Sequence, residues 1–164
     1  MKKGAAKQMA FGGVFAALAV VIMSLGTLIP IATFVCPVIC MVILSFVLRM
    51  CGRKTGWVWY IAVSILSLLL SPDKEAAAVF AFLGFYPILK PGMDKLTGSF
   101  FWKLVFFNAD IGLLYWILLR FIGMEHLVAE YSGMGLAMTA ALLILGNLVF
   151  FLLDKVLARF QNYR

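Results

Sequence analysis

Residues 38–70 read VICMVILSFVLRMCGRKTGWVWYIAVSILSLLL: an apolar run, a short basic turn and a second apolar run. In hydrocarbon a lone strand leaves its backbone groups unpaired, so apolar runs of this kind are read as helices. The turn CGRKTG holds Arg53 and Lys54 between Gly52 and Gly56, and Trp57, Trp59 and Tyr60 follow it where interfacial aromatics anchor a span. Cations gather at the cytoplasmic ends of membrane helices. The stretch therefore predicts two antiparallel membrane helices joined on the cytoplasmic side.

The same reading extends in both directions. Span 1 covers about Met9 to Leu25, and GTLIPIATFVCP follows with Pro30 and Pro37, so span 2 begins between Ile31 and Val38 and ends near Met50. Span 3 ends at Ser71-Pro72, and Asp73, Lys74 and Glu75 interrupt the hydrophobicity. Span 4 covers about Ala76 to Leu89 and is broken by Lys90-Pro91-Gly92, leaving a polar linker from Pro91 to Ser99. Spans 3 and 4 fall short of the roughly 20 residues of a full crossing. They either thin the bilayer or enter and return as a hairpin. Span 5 runs from about Phe100 to Ile122 and span 6 from about Met134 to Leu157, with GMEHLVAEYSG between them as an external loop. The expected fold is an all-α integral membrane protein of the cell membrane. It is a single domain (residues 1–164) of six transmembrane helices with both termini cytoplasmic.

Composition agrees. The chain is 65% hydrophobic and 13% charged, more apolar than a soluble domain of 164 residues can bury. With Met1 inside, every one of the 14 basic residues except Lys74 and Arg120 falls at a cytoplasmic end. The net charge of +7 therefore sets topology and meets anionic lipid rather than nucleic acid. The basic start resembles a signal peptide, but the apolar segment is too long and has no small-x-small cleavage site, so it is read as a retained span. Cys36 and Cys40, in CPVIC, and Cys51 make neither a disulfide framework nor a metal site and are read as buried thiols.

Four features carry candidate chemistry. Gly12, Ala16 and Ala19, extended by Gly13 and Ala17, make a small-residue stripe on span 1, which either docks another membrane subunit or packs against the chain's own helices. Asp73, Lys74 and Glu75 form either a solvated turn at a helix start or an external ligand contact. Asn108 and Asp110 in span 5 and Asn147 in span 6 are polar within the membrane, where such groups meet a ligand, an ion or one another. Glu125 and His126, with Arg120 and Glu130, belong to the external loop opposite. No P-loop, zincin or nucleophile-elbow motif is present, and no histidine is placed to activate a serine, so the chain is read as non-enzymatic, with no cofactor or metal.

The layout resembles the substrate-binding S components of the energy-coupling factor (ECF) transporters. The likeness rests on six short spans, a basic start, small residues in MAFGGVFAALAV (residues 9–20) and the GRKTG turn. It implies a subunit that captures a small, vitamin-like polar nutrient from outside. Span 1 would dock a transmembrane coupling subunit through Gly12, Ala16 and Ala19, and two cytoplasmic ATPase subunits would supply energy. Asp73, Lys74, Glu75, Glu125 and His126 would serve as contacts or gate, and Asp110 and Asn147 as the polar floor. The lid between spans 1 and 2 would be Gly26 to Pro37, short for that family, and no riboflavin, thiamine or biotin motif and no His-rich start is present. The segment LLLSPDKEAAAVFAFLGFYPILK (residues 68–90) also resembles a group of small uncharacterised membrane proteins of Gram-positive bacteria. Two other classes fit the layout: a membrane scaffold of the MreD kind, and a stand-alone small transporter built around Asp110.

Overall fold

The computed structural model describes residues 2–25, 32–117 and 136–162. Among them every regular element is an α-helix: α1 (Lys2–Ser24), α2 (Ala32–Leu70), α3 (Lys74–Leu83), α4 (Tyr86–Met93), α5 (Ser99–Ile117) and α6 (Leu136–Asn162). Lys7–Ser24, Phe34–Leu70, Lys74–Met93 and Ser99–Ile117 are long and apolar enough to cross a membrane. Their outer faces carry exposed Val14, Val58, Leu69 and Leu113, the surface a chain presents when lipid is its solvent.

Helix α2 is two helices folded on one another. Gly52, at φ 83° and ψ 171°, breaks its helical geometry. The contacts on either side of that residue fix the directions. On the first arm, Cys40 Sγ donates to Ala19 O and Gln8 Nε2 donates to Met50 O, so this arm runs antiparallel to α1. On the second, Trp59 Nε1 donates to Gly12 O (3.1 Å) and Ser71 Oγ to Met23 O (3.0 Å), so this arm runs parallel to α1. The arms are thus antiparallel to each other. They approach so closely that a Cβ on Gly56 would lie 2.3 Å from Leu48 Cδ2.

The turn expected over CGRKTG is therefore concentrated in Gly52, and Arg53, Lys54 and Thr55 are already helical. The dihedrals of Gly52 lie in a region essentially restricted to glycine, where a Cβ costs about 1–3 kcal/mol. Gly52→Ala should destabilise the protein by that amount, read as a shift in its thermal unfolding in detergent. An unchanged transition would mean that the bend relaxes without strain.

The second arm of α2 lies along α1 from Gly12 to Met23, and α3 and α4, of 10 and 8 residues, together make the apolar stretch Lys74–Met93. One expectation is corrected: span 4 is broken in a different place. The interruption falls at Gly84 and Phe85, whereas Lys90, Pro91 and Gly92 lie inside α4. Helix α4 begins only at Tyr86, so Pro91 removes a single backbone bond, and Asp94 N closes the last turn on Lys90 O at 2.9 Å. The core gathers where α1, both arms of α2, α3 and α4 meet, around Ala19, Met23, Leu44, Val63, Phe80 and Tyr86.

Basic residues collect at one end of this bundle. The N-terminal part of α1 meets the Gly52 bend through Gln8, Met50 and Cys51. The start of α4 meets the same end through Trp57 stacked on Phe85, and α5 and α6 join it through Lys103 and Asp154. Lys7, Arg49, Arg53, Lys54, Lys90, Lys103 and Lys155 all lie there, and among the described residues Lys74 stands alone at the other end.

Candidate functional site

At the end opposite the basic cluster, SPDKE ties three helices together. Asp73 is the N-cap of α3, its Oδ1 accepting from Ala76 N at 2.9 Å. Lys74 Nζ donates to Leu68 O at 2.8 Å and so caps the C-terminus of α2. Tyr115 Oη donates to Glu75 Oε1 at 2.8 Å, joining α5 to the start of α3. The polar atoms of this stretch are thus engaged within the chain, at what forms the rim of a deeper set of groups.

That deeper set lies on α2 and α5. Tyr60, Ser64, Ser67 and Ser71 recur along one face of α2's second arm, at helical spacing. Tyr60 Oη donates to Ala81 O across the interface with α3, and the ring lies beside Ser64 and within electrostatic reach of Asp110. Ser67 Oγ and Asp110 Oδ2 are buried atoms with no hydrogen-bond partner among the described residues, and Ser64 Oγ has none beyond the Tyr60 hydroxyl beside it. The serines at other positions show what is missing. Ser24 Oγ bonds back to Val20 O at 2.9 Å and Ser45 Oγ to Met41 O at 3.2 Å. Water satisfies nothing in hydrocarbon, so each open group costs free energy until something polar reaches it. Ser64 and Ser67 belong to this set although sequence reading weighed them only as nucleophiles; the face they share with Tyr60 is the signal.

Asn108 and Asn147 do meet, but each is satisfied by the other. Asn108 Nδ2 donates to Asn147 Oδ1 at 2.9 Å and Asn147 Nδ2 returns a bond to Asn108 Oδ1 at 3.1 Å. Each amide also donates to the carbonyl four residues earlier, Leu104 O and Leu143 O, both at 2.8 Å. This closed pair fixes the register of α5 against α6 and does not join Asp110. Glu125 and His126, with Arg120 and Glu130, lie outside the described residues, as does part of the expected lid.

Of the two readings of the small-residue stripe, the structure shows packing within the chain. Gly12 and Ala19 are buried, and their carbonyls accept from Trp59 and Cys40 of α2; Ala16 packs against the same core. This face closes α1 onto its own hairpin. Gly13 and Ala17 instead lie on the exposed face, with Val14 and Leu18.

A second polar cluster, at the basic end, was not anticipated. Asp154 Oδ1 accepts from Tyr86 Oη at 2.5 Å and from Lys90 Nζ, and Oδ2 accepts from Lys103 Nζ at 3.0 Å. Asp94 completes the group by pairing with Lys103 and lying 3.6 Å from Lys90. Lys90 is 1% exposed. Two lysines and two aspartates balance in charge, so the cluster ties α4, α5 and α6 without leaving a net charge in the bundle. Lys90 and Lys103 had been assigned to topology alone. The available signal was Asp154, an acid late in an apolar helix whose neighbour Lys155 projects from the exposed face and leaves it to find a cation on another helix. Compared with known proteins, the chain matches no family model, no curated protein and no solved structure.

Proposed function

We propose that this chain is a non-enzymatic, six-crossing capture subunit of an ECF-type importer, with its basic end in the cytoplasm. It takes up a small, vitamin-like polar solute from the opposite side. The observation that carries the reading is Ser67 Oγ and Asp110 Oδ2, buried polar atoms left open inside an apolar bundle. A polar solute entering past the Glu75–Tyr115 rim supplies hydrogen bonds these groups otherwise lack, and Asp110 offers the acceptor best suited to a donor on the solute. Asp73, Lys74 and Glu75 hold the entrance by capping α2 and α3, and Glu125 and His126 belong to the opposing loop. The Asn108–Asn147 pair positions the α5–α6 floor. The cation asymmetry between the two ends supports the orientation. Coupling to a transmembrane subunit and two ATPases falls to the exposed face of α1, around Gly13 and Ala17.

The test is native mass spectrometry of the full chain purified gently from its own membrane, alongside an Asp110→Leu variant. The expected result is a wild-type chain carrying a small-molecule adduct, together with a coupling subunit and ATPases. Asp110→Leu should keep the partners and lose at least about 90% of the adduct, the 1.4 kcal/mol of a tenfold change. A ligand-free chain accompanied by cell-wall proteins would overturn the reading in favour of a scaffold, and solute uptake persisting without ATPase partners would favour a stand-alone carrier.

A further inference from the structure

The α5–α6 interface is open where it faces lipid. Between the Asn108–Asn147 pair and the Lys103–Asp154 bond lies a crevice of about 290 Å³, whose apolar walls include Leu104, Ile144, Leu148 and Phe151. The polar side chains that touch it are already committed, Asn147 to Asn108 and Lys103 to Asp154. Its contents must therefore be apolar.

The lipid-facing stripe of α6 that borders this crevice changes character along its length. Ile144, Leu148 and Phe151 are exposed, and the same face continues into exposed Lys155 and Arg159. Lys155 Nζ lies 4.7 Å from the centroid of the Phe151 ring, directly at the end of the crevice. Neither Lys155 nor Arg159 takes part in the ion pairs found among the described residues. From Ile144 to Lys155 the helix rises about 16 Å, which is about half of a ~30 Å hydrocarbon core, the depth of one leaflet.

We propose that this crevice binds one anionic phospholipid from the leaflet at the basic end, with an acyl chain in the crevice and the phosphate at Lys155 and Arg159. A crevice of about 290 Å³ is too small for a transmembrane helix, with its diameter of about 10–12 Å, and takes a single acyl chain. Paired lysine and aspartate leave the crevice end neutral, so the attraction for an anion comes from Lys155 and Arg159, which pair with no carboxylate among the described residues. The site accounts for an apolar opening, a basic cap and a one-leaflet length together. It is independent of the solute-capture reading, since neither Asp110 nor the serines contribute.

The experiment is native mass spectrometry of the full-length protein in detergent, titrated with phosphatidylglycerol and, separately, with phosphatidylcholine of the same acyl chains. Wild type should bind one phosphatidylglycerol per chain about 10-fold or more tightly than phosphatidylcholine. Replacing both cations, Lys155→Gln with Arg159→Gln, should bring the two lipids to parity. Leu148→Trp, which fills the crevice, should lose both. Equal affinities in wild type would overturn the proposal, as would a preference that survives loss of the two cations. So would a crevice that protects a second copy of the chain instead of a lipid. Lys155 and Arg159 are exposed, so the double variant decides the matter even if Leu148→Trp fails to fold.

Discussion

Asp154→Leu should destabilise the protein by about 3–5 kcal/mol, the cost of removing one partner from a buried ion pair. The side chain accepts from Tyr86, Lys90 and Lys103 together, so its loss strands a phenol and leaves the half-exposed Asp94 as the one carboxylate of the cluster for two ammonium groups. Lys90 has nowhere to go: it is 1% exposed, and its remaining carboxylate, Asp94, lies at 3.6 Å. An exposed pair would contribute only about 0–1 kcal/mol. Removing Lys90 as well should reverse much of the loss, because an apolar pair of similar volume avoids the desolvation that the ions require. Unfolding of the full-length protein in bilayers or mild detergent should thus place Lys90→Met/Asp154→Leu about 2 kcal/mol or more above Asp154→Leu alone. A single variant within about 1 kcal/mol of wild type would mean that water reaches the cluster. A double variant at the sum of the two singles would mean that the groups act independently.

This cluster shows where sequence reasoning stopped. The hairpin was legible because its signals are local: an apolar run, two glycines around Arg53 and Lys54, then Trp57, Trp59 and Tyr60. The helix start at Pro72 and Asp73 was likewise visible as one of two readings, though Asp73 proves to be the cap rather than a residue of the first turn. Lys90 and Asp154 are 64 residues apart, and nothing in either stretch names the other. Positive-inside counting treats each lysine as a solvated charge, and that assumption fails for one that a helix packs inward. The break in span 4 was misplaced for a related reason. Proline in Lys90-Pro91-Gly92 is the stronger local signal, yet the tertiary packing of Tyr86 and Lys90 carries α4 through it and leaves the interruption at Gly84. Among the candidate site residues, Asp110 was visible as a carboxylate within an apolar run, whereas Ser64 and Ser67 acquire meaning only from the face they share with Tyr60.

The two faces of α1 make the last expectation sharp. Ala19→Trp should lower stability by about 3 kcal/mol or more, because Ala19 is 0% exposed and its carbonyl accepts from Cys40, leaving an indole no space without parting α1 from the hairpin. Ala17→Trp, two residues earlier, projects from the exposed face and should stay within about 0.5 kcal/mol of wild type in the same unfolding measurement. On the capture-subunit reading that face meets the coupling subunit, and a Cβ at Gly13 would touch nothing within 4 Å, so the helix there is bare enough for another backbone to approach. Ala17→Trp should then abolish co-purification with the coupling subunit and uptake, while the chain keeps its solute. The bulky test belongs at Ala17 rather than Ala16, since Ala16 packs against the core and its replacement would confuse misfolding with lost docking. If Ala17→Trp keeps its partners and its uptake, the exposed face of α1 meets only lipid, and docking must be sought on another helix. If both variants unfold alike, α1 is packed on both sides and the division of its faces drawn from burial is wrong.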